Sequence, residues 1–156
     1  MNNECSSGTH SGGTHSGGTL AYLGDAVMEV WVRELLLSFG ITKTSVCSTE
    51  AVKFVSAKAQ CRAYESISDS LTEHETEIFR RGRNAHVTVP KSAGSYEYHT
   101  STGFEALIGS LWLDGERERI NELLSHAYRD KIDDLMRRHE LDGAKISKGD
   151  SQNEEN

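Results

Sequence analysis

The fold is organised around one stretch of the sequence, Leu20-Ala21-Tyr22-Leu23-Gly24-Asp25-Ala26-Val27-Met28-Glu29-Val30-Trp31. Its apolar residues recur at three- and four-residue spacing, which predicts an amphipathic helix. Gly24 inside a helix costs roughly 1 kcal/mol relative to alanine. The charge of Asp25 beside an apolar stripe needs a compensating partner. These two neighbouring penalties indicate either a functional site or a surface carboxylate next to a close helix contact.

The composition describes a globular protein with one domain. The chain has 156 residues, of which 36% are hydrophobic and 26% charged. It contains no apolar run long enough for a membrane span, and its first residues do not have the pattern of a secretory signal peptide. Three cysteines without CxxC spacing fit reduced thiols in an intracellular protein. We therefore expect a cytoplasmic protein; no transit peptide is evident, and a plastid location stays open.

The charge is distributed unevenly along the chain. The formal net charge of −7 argues against general electrostatic capture of nucleic acid. From Arg80 to Lys91, however, the chain carries four basic residues and no acidic one. This segment predicts a confined anion-binding surface on an otherwise acidic protein.

The periodicity predicts an all-α fold, because no β-type alternation of any length occurs. Residues 1–19 form a tract of Gly, Ser, Thr and His that is expected to be disordered, as is the polar tail of residues 140–156. Thr19 is the predicted cap of the first helix, and a capping box at Thr72 opens the third. A connection of residues 85–100 precedes the fourth. The predicted helices are 20–38, 49–67, 73–83, 101–113 and 116–139.

A second acid interrupts an apolar helix at Glu105. It is the only ionisable residue between Ser101 and Leu113, and Gly109 follows one turn later. A carboxylate in such a helix is paired, protonated or bound to a metal ion. The two helices thus share one pattern, an acid in an apolar stripe with a glycine nearby. This repetition favours a functional interpretation of both acids.

The basic residues admit two interpretations. Lys58 and Arg62 lie four residues apart, so they share one helix face and are either a solvated pair or contacts to phosphate. The run Arg80-Arg81-Gly82-Arg83-Asn84 ends a predicted helix, where cations interact favourably with the helix dipole. The run has more cations than the dipole requires. Together with the basic and aromatic residues of the following connection, it suits contact with a nucleic-acid backbone.

The motifs resemble those of the ribonuclease III family. Leu23-Gly24-Asp25-Ala26-Val27 is similar to the centre of the family signature, and Phe104-Glu105-Ala106-Leu107-Ile108-Gly109 to its second acidic motif. The sequence is most similar to the short form, Mini-ribonuclease III (Mini-III), over residues 20 to about 130. Further segments match its pattern in order: residues 55–60, 81–85, 90–91, Tyr98 and 101–105. The catalytic domain is expected to span residues 20–139.

The resemblance implies a homodimeric, all-helical endonuclease that cuts double-stranded RNA with Mg²⁺, for which Mn²⁺ can substitute. In bacteria, the Mini-III substrate is the precursor of 23S (large-subunit) ribosomal RNA, and a ribosomal protein is a further candidate partner. Asp25 and Glu105 match the two catalytic, metal-binding carboxylates. No double-stranded-RNA-binding domain is appended, so basic residues of this domain would contact the RNA. The candidates are Lys58, Arg62, Arg80, Arg81, Arg83, Asn84 and Lys91.

The sequence departs from other ribonuclease III enzymes at three positions. Those enzymes have further acids where this chain has Gly18, Ala21 and Thr102. Two carboxylates hold one Mg²⁺ more readily than two, so the number of ions stays open. Glu29, one turn after Asp25, is a candidate for orienting water next to the metal ion. The alternative function is a non-catalytic RNA-binding or ribosome-associated protein with the same fold, although such a protein has no use for buried acids.

Overall fold

The computed structural model describes residues 14–86, 88 and 94–149, with side chains up to His139. Within these residues, the chain forms seven α-helices and a short 3₁₀ turn at Ser68–Ser70 and contains no strand, which confirms the predicted all-α class. None of the described helices combines the length and apolar character that crossing a membrane requires. The helices are α1 (Gly17–Ser38), α2 (Thr44–Val55), α3 (Ala57–Ile67), α4 (Glu73–Arg83), α5 (Ser95–Leu113), α6 (Arg117–Ala127) and α7 (Arg129–Gly149).

The first helix begins earlier than the sequence predicted. α1 starts at Gly17, and its cap is Ser16 rather than Thr19: the Ser16 hydroxyl accepts a hydrogen bond from the backbone N–H of Thr19 at 3.1 Å. Of the tract predicted to be disordered, residues 1–13 lie outside the described residues. At the other end, α7 continues as helix past His139 to Gly149, where the sequence predicted a disordered tail. Residues 150–156 of that tail also lie outside the described residues.

Two of the predicted helices are each divided in the structure, so the predictions of continuous helices were wrong. Ser56 has an extended backbone between α2 and α3, and its hydroxyl caps α3 by accepting from Ala59 N–H at 3.4 Å. Tyr128 separates α6 from α7; its ring is buried and its hydroxyl donates to the carbonyl of Phe54 at 2.9 Å. The apolar periodicity continues across both breaks, so it does not reveal them.

The helix that carries the second acid is longer than predicted. α5 begins at Ser95, so Tyr96 and Tyr98 belong to its first turns and not to a connection. The preceding connection is correspondingly shorter than the predicted residues 85–100. The predicted start of α4 is confirmed, because Thr72 and Glu75 exchange both hydrogen bonds of a capping box. Glu75 also pairs with Arg119 at 2.8 Å, which joins α4 to α6.

The core surrounds α5. Phe104, Leu107 and Ile108 are almost completely buried, and α1, α3, α4 and α6 pack around them. Burying each large apolar side chain contributes roughly 1.5–3 kcal/mol. Tyr64 and Phe79 stack with ring centroids 3.7 Å apart, which ties α3 to α4 beside the same helix. The helix that carries Glu105 is therefore held rigidly on several sides.

Candidate active site

Two glycines bring the backbones of α1 and α5 into direct contact. A Cβ atom added at Gly24 would lie 1.7 Å from the carbonyl oxygen of Glu105, and one added at Gly109 would lie 2.0 Å from that of Leu20. Both distances are far shorter than any real contact, so only glycine fits at either position. Because Asp25 follows Gly24 directly, this crossing places the carboxylates of Asp25 and Glu105 beside each other.

The two acids lie at one cavity of about 450 Å³ between α1, α3 and α5. Asp25 is exposed at the cavity, whereas the side chain of Glu105 is largely buried. Gly18, Ala21 and Thr102, the three positions of the predicted departure from classical ribonuclease III, also line this cavity. The lining residues are Gly18, Ala21, Tyr22, Asp25, Val55, Ala57, Gln60, Tyr98, Ser101, Thr102 and Glu105.

Burial and neighbouring negative charges raise the pKa of both acids. The pKa of Glu105 rises from 4.5 to about 8, mainly through burial and secondly through the charge of Asp25, and the Gln60 side chain opposes this rise. Burial, followed by repulsion from Glu29, raises the pKa of Asp25. No lysine or arginine is among the described residues that line the cavity. A site with two interacting carboxylates and no fixed positive charge suits a divalent cation.

The donor set fits Mg²⁺ or Mn²⁺. These ions prefer oxygen ligands and usually retain several water molecules, so two carboxylates can be sufficient protein ligands. Within the described part of the chain, no group of three or more His, Cys, Asp or Glu residues is arranged to hold a metal ion. The hydroxyls of Ser101 and Thr102 both donate to the carbonyl of Tyr98, at 2.8 and 2.9 Å. Their oxygen lone pairs are therefore available to accept hydrogen bonds in the cavity.

Glu29 is not at this cavity. Its carboxylate pairs with Arg33 at 2.9 Å, one turn further along α1, and it does not line the cavity. Its effect on the site is electrostatic, because its negative charge raises the pKa of Asp25. This geometry does not support the predicted role in orienting water.

A second cavity contains two of the predicted RNA-binding residues. Arg83 and Asn84, at the end of α4, line a cavity of about 620 Å³ together with Tyr96 and His99 from the start of α5. The guanidinium of Arg83 lies 5.9 Å from the centre of the Tyr96 ring, within the range of a cation–π contact. His86, Ala85 and Ser95 complete the lining.

The other predicted RNA-binding residues are dispersed. Arg81 donates a hydrogen bond to the carbonyl of His15 and so holds the start of α1. Arg80 pairs with Glu77 at 2.7 Å. Lys58 and Arg62 are exposed on α3, and Lys91 lies outside the described residues.

Sequence reasoning did not select Gln60 as a site residue. Gln60 is 1% exposed, lines the cavity of the two acids and interacts with Glu105. A signal was present, because Gln60 shares helical spacing with Ala63 and Ile67 and is thus a polar residue within an apolar stripe. The spacing does not show that Gln60 lies at the acid site, because Gln60 and Glu105 are 45 positions apart in the chain.

Comparison with known proteins identifies the class to which the chain belongs. Residues 18–116 match the model of the ribonuclease III domain family, and both acids fall within the match. The chain therefore belongs to the ribonuclease III family, whose enzymes are double-strand-specific endoribonucleases that generally depend on divalent metal ions.

Similar proteins belong to the short form of the family, as the sequence motifs predicted. The chain is 47% identical over 110 residues to Mini-ribonuclease 3 of Symbiobacterium thermophilum, covering 70% of this chain and 85% of that protein. It is 42% identical over 109 residues to Mini-ribonuclease 3 of Enterococcus faecalis, covering 68% and 83%. A crystal structure of a Fusobacterium nucleatum protein superposes with a TM-score of 0.70 at 31% identity, covering 76% of this chain and 91% of that one.

Proposed function

We propose that this protein is a metal-dependent endoribonuclease that cleaves double-stranded RNA and acts in the cytoplasm in maturation of the 23S ribosomal RNA precursor. The observation that carries the proposal is the meeting of Asp25 and Glu105 in one cavity that has no lysine or arginine among its described lining residues. A protein that only binds RNA gains nothing from keeping two interacting acids in a partly buried site, since their repulsion destabilises the fold.

The proposed reaction is hydrolysis of a phosphodiester bond. Water attacks phosphorus, the bond to the 3′ oxygen breaks, and the products carry 5′-phosphate and 3′-hydroxyl ends. Asp25 and Glu105 would hold a divalent cation. When bound, that cation would acidify water and offset the negative charge of the transition state. The Ser101 and Thr102 hydroxyls, both turned toward the Tyr98 carbonyl, would accept hydrogen bonds from water in the cavity.

The second cavity supports a contact to the RNA backbone. It lies beside the first turns of α5, and the same helix carries Glu105. At 1.5 Å of rise per residue, His99 and Glu105 are separated by about 9 Å along the helix axis. Arg83 and Asn84 would therefore contact a phosphate near the one that is cleaved. Duplex RNA is recognised mainly by shape and backbone contacts, which such a surface can provide.

The exposed face of α1 supports the proposed homodimer. Tyr22, Val30 and Leu37 are 85%, 53% and 58% exposed, and their spacing places them on one side of the helix. A row of exposed large apolar side chains marks an interaction surface. A two-fold symmetric contact through this face would bring two cavities into one assembly, so that each could cut one strand of the duplex.

The proposal is tested by cleavage of duplex RNA with Mg²⁺ by the parent protein, Asp25→Asn and Glu105→Gln. Each substitution is expected to lower the rate at least about 100-fold, because cation stabilisation of the transition state contributes several kcal/mol. Glu34→Gln removes an exposed carboxylate from α1 and is the control. Parent-like cleavage by both site variants would refute the assignment. RNA binding without cleavage by the parent protein would favour the non-catalytic RNA-binding function.

A further inference from the structure

Gln60 is a buried amide on the wall of the acid cavity. It lies on the first turn of α3, which begins after the break capped by Ser56. The residue is only 1% exposed, and it lines the cavity between α1, α3 and α5. The helix that begins after this break thus brings a buried polar residue to the cavity that Glu105 also lines.

The surroundings of this amide leave it one strong partner. Its Nε2 atom lies 3.8 Å from the sulfur of Met28, and a thioether is a weak hydrogen-bond acceptor. Glu105 lines the same cavity, and its carboxylate is a stronger acceptor than the thioether. The Gln60 side chain lowers the pKa of Glu105, which agrees with a hydrogen bond between the two groups. A buried amide destabilises a protein unless it has a good partner, so a pairing with Glu105 would account for glutamine at this position.

We propose that Gln60 is a positioning residue, whose amide holds the Glu105 carboxylate so that one oxygen is directed toward the cation site shared with Asp25. The inference rests on the proposed metal site. Glu105 has three rotatable side-chain bonds, and apolar core residues flank it on α5. With only two protein carboxylates available, an undirected Glu105 would lose much of its contribution to cation binding. Groups that orient metal ligands typically account for a factor of about 10–100 in metal affinity.

The alternative is that Gln60 only fills space in the core. Gln60→Met separates the two roles, because methionine has similar length and lacks the amide. We expect Mn²⁺ titrated without RNA to bind this variant about 10–100-fold more weakly than the parent protein. Thermal stability without metal is expected to fall, as in any variant that removes one of two buried hydrogen-bond partners, because the Glu105 carboxylate loses a donor. The loss of Mn²⁺ affinity is therefore the result that distinguishes the two roles. Gln60→Leu is a second variant of the same design, should methionine disturb the packing.

Two reference variants are measured alongside. Cys61→Ala alters the neighbouring buried residue of α3, which does not line the cavity; it is expected to lower stability and leave Mn²⁺ affinity unchanged. Asp25→Asn reports on the metal site itself and is expected to lose binding. Parent-like affinity in folded Gln60→Met and Gln60→Leu would overturn the role of Gln60 and leave the metal site intact. An equal loss in Cys61→Ala would also overturn it, and absence of Mn²⁺ binding by the parent protein would overturn both proposals.

Discussion

Replacing Glu105 by glutamine is expected to abolish a pH-dependent loss of stability in the metal-free protein. Burial and the charge of Asp25 raise the pKa of Glu105 from 4.5 to about 8. Between these values, the folded protein retains a proton that the unfolded chain releases, so stability falls as the pH rises through this window. Below pH 4.5 both states are protonated, and above pH 8 the loss is complete. Glutamine resembles the protonated acid and does not titrate.

The size of the effect follows from the pKa difference. At about 1.4 kcal/mol per tenfold change in proton affinity, the full difference corresponds to about 5 kcal/mol. Water in the open cavity screens the charges, which reduces the expected value to about 2–3 kcal/mol. For a domain of this size, such a change shifts the melting temperature by about 5–10 °C.

The measurement is urea unfolding of the parent protein, Glu105→Gln and Glu34→Gln in EDTA at pH 5, 7 and 9. The stability gained by Glu105→Gln should be close to zero at pH 5 and greatest at pH 9, while Glu34→Gln follows the parent protein. Adding Mg²⁺ at pH 9 should stabilise the parent protein and have little effect on Glu105→Gln. A stability difference that stays constant from pH 5 to pH 9 would refute the reasoning.

Three further predictions concern the helix crossing, the basic cavity and the exposed face of α1. Gly24→Ala should lower the free energy of unfolding, measured in urea, by more than about 3 kcal/mol, because the added Cβ would clash with the Glu105 backbone. The control, Gly18→Ala, has free space around it and should raise the free energy of unfolding by up to about 1 kcal/mol. Arg83→Ala should weaken binding of duplex RNA about fivefold in a filter assay, as expected for the loss of about 1 kcal/mol. Arg80→Ala should have a smaller effect, because the Arg80 side chain already pairs with Glu77. Equal effects of the two substitutions would contradict this prediction. Leu37→Glu should yield monomers in light scattering, and an unchanged mass would exclude this face as the dimer contact.

The sequence predicted local features well where one residue type determines the geometry. Thr72 and Glu75 form the predicted capping box, and α4 ends at Arg83 as expected. The shared pattern of Asp25 and Glu105 predicted one site, and both acids line one cavity. Their role as metal ligands stays a prediction.

The remaining features depend on contacts that are distant in sequence. Apolar periodicity runs through Ser56 and Tyr128, so the helix breaks follow from packing against other helices and not from local propensity. Val52 has the same apolar spacing as Val55 and Ala59 but is 60% exposed, because the extended backbone of Ser56 separates α2 from α3. Gln60 is recognisable as a site residue only once the position of Glu105 in the fold is known.

The contact between Gly24 and Gly109 also determines when the active site forms during folding. The acids lie 80 positions apart in the chain, and no local helix formation can bring them together. Their proximity depends on the docking of α1 against α5, a contact of high sequence separation that forms only after the intervening loop has closed. A growing or partly folded chain that has not docked these helices contains both acids but not the cavity in which they meet. The candidate active site therefore forms together with the tertiary fold.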